Sequence, residues 1–170
     1  MPKYNIEGVP LKELKTVVIS LRGLMLEYTI KVENIINEYL SLYFCKDEYV
    51  GNELKEMLLN TERITLGSKK DILFILLNRY HQDYIKLHPK LISNIESIVP
   101  HRNIFAHLEM DYSSLDLEDE KIAIFFNKYK NGKLVQLKYS SDDISKLVTD
   151  FKEIIERLEE LVKTTKAPNH

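Results

Sequence analysis

One cysteine in 170 residues, Cys45, excludes an internal disulfide and a cysteine-based zinc cluster, and it suits a reducing cytosol. Long apolar runs are missing too. The longest strongly apolar stretch, Ile72 to Leu77, falls far short of the roughly 20 residues that span a bilayer, so no membrane association is expected. Met1 to Pro10 carries Lys3 and Glu7 and has no apolar segment of the signal-peptide kind, which makes the expected location cytoplasmic. There is no large excess of positive charge. A net charge of −2 argues against a surface that binds nucleic acid over its whole extent, since that depends on many cations neutralising phosphates. Internal repeats and low-complexity tracts are absent, and a single domain over 1–170 fits the length.

What charge there is has an uneven distribution. Residues 1–68 sum to −2, 69–107 to +3 and 108–170 to −3, so only the middle third is basic. That third also holds His81, His88, His101 and His107, and an anion handled by the protein is expected there.

Hydrophobic spacing predicts a helix-dominated chain. Leu11, Leu14, Val18, Leu21, Met25, Tyr28, Val32, Ile35, Tyr39 and Leu42 recur at alternating intervals of three and four, one stripe of a long helix started by Pro10. Asn52 to Leu59 reads as a short helix with Leu54, Met57 and Leu58 inward. A helix capped by Ser68 is expected to start at Lys69, and its body from Ile72 to Tyr80 is apolar nearly all round, which predicts central burial. Pro89 opens the next helix, with Leu91, Ile92, Ile95, Ile98 and Val99 inward and a kink expected at Pro100. The acidic segment from Glu109 to Glu120 reads as a loop. A β-hairpin at about 121–139 follows, because Asn131-Gly132 between two apolar runs supplies the positive φ angles of a two-residue turn. Ile144, Leu147, Phe151, Ile154, Leu158 and Leu161 mark a second long amphipathic helix after Ser140-Ser141-Asp142, and Ala167 to His170 a frayed tail. The expected fold class is all-α, a bundle of about five helices with a small inserted hairpin.

Within the basic third, Arg102-Asn103-Ile104-Phe105-Ala106-His107 breaks the apolar pattern. Arg102 continues the spacing from Ile98 toward Phe105, where an apolar residue is expected, and a guanidinium in such a seam loses hydration that only an anion or an opening to solvent replaces. Asn103 and His107, four apart, share a face. Arg102 and His107 are five apart, about 140° around the axis. One helix then aims both heads at one group only through the reach of arginine, which points to two motif helices side by side across a two-fold axis.

At these six residues the chain resembles the HEPN superfamily, small helical domains whose signature is an arginine, a polar residue and a histidine after four to six positions. The resemblance extends, as helix order, over most of the chain. It implies a metal-independent endoribonuclease without cofactor, a toxin or phage-defence effector that works as a homodimer with a composite site and has an antitoxin as regulating partner. The alternative within the family is a non-catalytic module binding nucleotide, RNA or a protein partner. A toxin subgroup carries a modifiable tyrosine two residues after the histidine; here that position is Glu109.

The residue types suit such chemistry. RNA brings its own nucleophile, the 2′-hydroxyl, so cleavage needs a group titrating near neutrality and a cation for the phosphorane. His107 is the candidate acid or base, Arg102 the candidate phosphate ligand, and Asn103 a third catalytic candidate that orients the ring or donates to phosphate. Attack by the 2′-hydroxyl leaves a 2′,3′-cyclic phosphate. His101 and Glu27 are candidate substrate-side residues. The structural alternative has Arg102 paired with Glu27 or Glu96 and His107 as a half-buried helix histidine. His81 and His88 lack an adjacent Asp, Glu or Cys, so no metal is expected. Tyr80, Tyr84 and Tyr112 are candidates for stacking on bases, with core use the simpler expectation.

Overall fold

A computed structural model describes residues 11–61, 63–111 and 123–166, with side chains from Lys15 onward. Expectations that fall on 1–10, the side chains of Leu11 and Leu14, Tyr112, the acidic segment from 112 and the tail 167–170 lie outside the described residues. The described chain is helix-dominated, as its periodicity predicts, with six α-helices and a small antiparallel sheet. In order these are α1 (Leu11–Phe44), α2 (Glu48–Leu54) continued by a π turn (Lys55–Leu59), α3 (Leu66–Tyr80), α4 (Gln82–Leu87), α5 (Leu91–His107), β1 (Glu109–Met110), β2 (Ile124–Lys130), β3 (Lys133–Tyr139) and α6 (Ser141–Lys166). The chain divides into two compact units, one of residues 1–27 and 101–149, the other of 28–100 and 150–170. Helices α1, α5 and α6 each contribute to both.

The second unit is a helical bundle. Its core gathers Val32, Ile36, Tyr39 and Leu40 from α1, Leu73, Leu76 and Leu77 from α3, Leu91, Ile95 and Ile98 from α5, and Phe151, Ile154, Leu158 and Leu161 from α6. All six apolar positions expected on α6 are buried across the two units. On α1 the expected stripe drifts. Val18, Met25, Val32 and Tyr39 are buried, but Ile36 and Leu40 replace Ile35 and Leu42, because a 3.5-residue spacing rotates by about 20° per heptad on a straight helix.

Helix α3 starts three residues before the expected Lys69. Thr65 is its N-cap, its hydroxyl accepting from the Ser68 backbone N–H at 3.2 Å. Nor is it buried all round, since Phe74 is 46% and Ile75 52% exposed. A run of consecutive apolar residues on a surface helix necessarily turns some of them outward. The short helix after Cys45 likewise buries Leu59 and leaves Met57 and Leu58 exposed, because the π turn shifts its register.

The first unit is built around the sheet, of order β1-β2-β3. The predicted hairpin is present, with Asn131 at φ 52° and Gly132 at φ 74°, the positive angles an Asn-Gly turn favours. β1 adds a strand that the sequence pattern does not show, Met110 pairing with Phe126. Phe105, Phe126 and Tyr139 form an aromatic cluster with ring centroids 5.1 to 5.7 Å apart. Helix α6 opens on reciprocal caps at Ser140, whose hydroxyl accepts from Asp143 N–H while the Asp143 carboxylate accepts from Ser140 N–H at 2.8 Å. Those Ser140 hydrogen bonds hold the Asp143 carboxyl below the usual range.

Burial pushes the phenols of Tyr39, Tyr84 and Tyr139 up to about 12, against about 10 in an unfolded chain. Above pH 10 the unfolded chain releases protons that the folded one keeps. Stability that is fully present below pH 10 is therefore lost as pH rises toward 12. A falling melting temperature over that window is expected, shallower in Tyr84→Phe than in wild type; an unchanged value through pH 12 would contradict it.

Candidate active site

Arg102, Asn103 and His107 end α5 and come together at the protein surface. Arg102 Nη1 lies 3.1 Å from His107 Nε2 and 3.3 Å from Asn103 Oδ1. Arginine only donates, so in a hydrogen bond between the two Nε2 of the imidazole is the acceptor. The free N–H groups of the same fork remain to receive an anion, and a phosphate seated there takes over the acceptor role of the imidazole.

One expectation about this pair changes and one holds. Arg102 is not enclosed in the helix seam: it is half exposed, Asn103 and His107 are exposed, and Phe105 fills the core. Four residues of helix turn through about 400°, which sets residue 102 some 40° past Ile98, at the edge of the stripe rather than its centre. The second concerns convergence. About 7.5 Å of rise and 140° of rotation separate positions 102 and 107, and it is the reach of the arginine side chain, as expected, that spans both within one chain.

The other candidates are placed differently. His101 is half-buried, its Nδ1 2.8 Å from the Tyr139 hydroxyl, so the sheet fixes the ring beside the site. Glu27 is exposed and shares no hydrogen bond or ion pair with Arg102 or His107 among the described residues, and Glu96 pairs with Lys70 instead at 3.6 Å. Tyr80 is exposed, whereas the Tyr84 hydroxyl donates to the Arg157 carbonyl. His88 lies 3.8 Å from Glu160, and no three His, Cys, Asp or Glu side chains gather in a metal-binding group among the described residues.

Arg22, next to Leu21 of the α1 stripe, also belongs to this site. Its guanidinium donates to Phe105 O at 2.6 Å and to Ala106 O at 3.1 Å. These are two of the last carbonyls of α5, which have no partner inside their own helix and carry the negative end of its dipole. Arg22 thus anchors the turn that presents His107. The available signal was an arginine bordering the buried positions Val18 and Met25; its partner is backbone, which no side-chain pattern records. Arg22→Ala is expected to cost about 1–3 kcal/mol, read by urea unfolding, and a variant as stable as wild type would remove the anchoring role.

No family model matches the chain, and no curated protein or solved structure matches it.

Proposed function

We propose that the protein is a metal-independent endoribonuclease of HEPN type, cleaving RNA through the 2′-hydroxyl as a toxin or phage-defence effector. The observation that carries this reading is the 3.1 Å approach of Arg102 to a solvent-open His107. Arg102 binds the scissile phosphate and neutralises charge gathering on its oxygens. His107 Nε2 takes the proton of the 2′-hydroxyl; the 2′-oxygen bonds to phosphorus, the bond from phosphorus to the 5′-oxygen breaks, and water protonates the leaving oxygen. Asn103, its carbonyl accepting from Arg102, holds the fork in place and has an amide left to donate. His101 borders the substrate from its seat on Tyr139.

The family resemblance further supports a homodimer whose two motif helices line a shared groove, and a regulating antitoxin. The test is RNA cleavage by purified protein in excess chelator. Cleavage at the rate seen without chelator is expected; binding of RNA with no cleavage under any condition would replace the nuclease by a non-catalytic module.

A further inference from the structure

We propose that Lys128, Lys130 and Lys133, on the outer half of the β2–β3 ribbon, form a phosphate-binding arm for single-stranded RNA whose scissile link sits at Arg102 and His107. The inference rests on the reading of that pair given above. From Ile124 to Tyr139 the ribbon carries four lysines and neither Asp nor Glu, an island of positive charge within the acidic last third of the chain.

Register sorts these charges by face. Directly opposed residues in an antiparallel pair share a face, and faces alternate along each strand. Lys130 opposes Lys133 and Lys128 opposes Val135, on the face that continues through Phe126 and Leu137 to Ile124 and Tyr139. That is the face whose root packs against α5, Phe126 on Phe105 and Tyr139 on His101. The other face holds Tyr129 opposite Leu134, Asn127 opposite Gln136 and Phe125 opposite Lys138. Both described acids of the segment before the ribbon belong to this second face: Glu109 opposes Asn127, and the Asp111 carboxylate accepts from Gln136 Nε2 at 2.6 Å.

The lysine face therefore turns toward the helix that bears the motif, and the acids turn away. Lys128, Lys130 and Lys133 are exposed, and no described acidic residue pairs with them. At a rise of about 3.3 Å per residue, Lys130 stands about 13 Å beyond Phe126. A polyanion anchored at Arg102 fits such a row, and RNA offers regularly spaced phosphates with no need for base readout.

The test measures binding of a fully 2′-O-methylated single-stranded oligonucleotide, which lacks the nucleophile, by fluorescence anisotropy at several salt concentrations. The full-length variant Lys128→Ala/Lys130→Ala/Lys133→Ala is expected to bind at least about tenfold more weakly, with the slope of log affinity against log salt reduced by about 2. Tyr129→Ala/Leu134→Ala, from the opposite face, is expected to stay within about twofold of wild type, since it removes no phosphate contact. Cleavage of a dinucleotide too short to reach the arm is expected to be unchanged in the lysine variant. Wild-type affinity and salt slope in the lysine variant would overturn the arm, as would an equal loss in the opposite-face variant or a change in self-association alone. Should His107→Ala abolish cleavage while the lysine variant binds normally, the active site stands and the arm falls. Should no RNA be cleaved while the lysine variant loses binding, the nuclease reading falls and the arm remains as a grip on RNA.

Discussion

Replacing His107 with alanine is expected to lower RNA cleavage by about 10²–10⁴-fold, the usual contribution of a positioned acid–base group. Arg102→Ala is expected to cost about 10²–10³-fold, as for one lost donor to developing oxyanion charge. Neither change should disturb folding, because His107 is exposed, Arg102 is half exposed, and the core position of this turn belongs to Phe105. Arg102→Lys should recover little, since a single ammonium replaces a fork that meets the phosphate and borders His107. Initial rates on a labelled RNA, beside circular dichroism spectra of each variant, check these outcomes. Wild-type rates in His107→Ala would contradict the assignment.

The second large effect is on stability, in the helical bundle. Lys69 on α3 is fully buried, and its ammonium is paired with Glu33 on α1. Removing the carboxylate leaves a buried charge without compensation, so Glu33→Ala is expected to destabilise the protein by about 3–5 kcal/mol. Glu33→Leu/Lys69→Met removes both charges and should lie near wild type, because the favourable contact and the dehydration of the ions disappear together. Urea unfolding of the single and double variants decides the matter. Additive losses in the double variant would show that packing around Lys69, rather than its charge, supports this part of the fold.

Much of the architecture is legible in spacing and turn chemistry. The α6 stripe is buried at every expected position, and Asn131-Gly132 makes the expected turn. Other features are set by contacts distant in sequence. β1 is two residues long, too short for any period, and exists because Met110 finds Phe126. The extent of α3 follows Thr65, one of two hydroxyl residues three positions apart that are able to cap, and its apolar face is chosen by what packs on it. The buried Lys69 reads in sequence as a surface lysine beside Lys70, since burial depends on Glu33 far away on α1.

For the site, Arg102, Asn103 and His107 are recognisable from type and spacing, and their convergence depends on the rotamer of Arg102, which spacing does not set. Arg22 is hidden because it binds carbonyls. The charged face of the ribbon is hidden by averaging, since 108–170 sums to −3 while Lys128, Lys130 and Lys133 gather on one side of a hairpin. Only strand register separates them from Glu109 and Asp111.

The most direct measurement replaces the ribose at a mapped cleavage position by 2′-deoxyribose and determines the product ends on the unmodified RNA. With His107 drawing a proton from the 2′-oxygen beside Arg102, cutting stops at the modified position, and the unmodified RNA yields a 2′,3′-cyclic phosphate. Cutting of the modified link at an undiminished rate would contradict the account, because the nucleophile assigned to the reaction would then be absent from it.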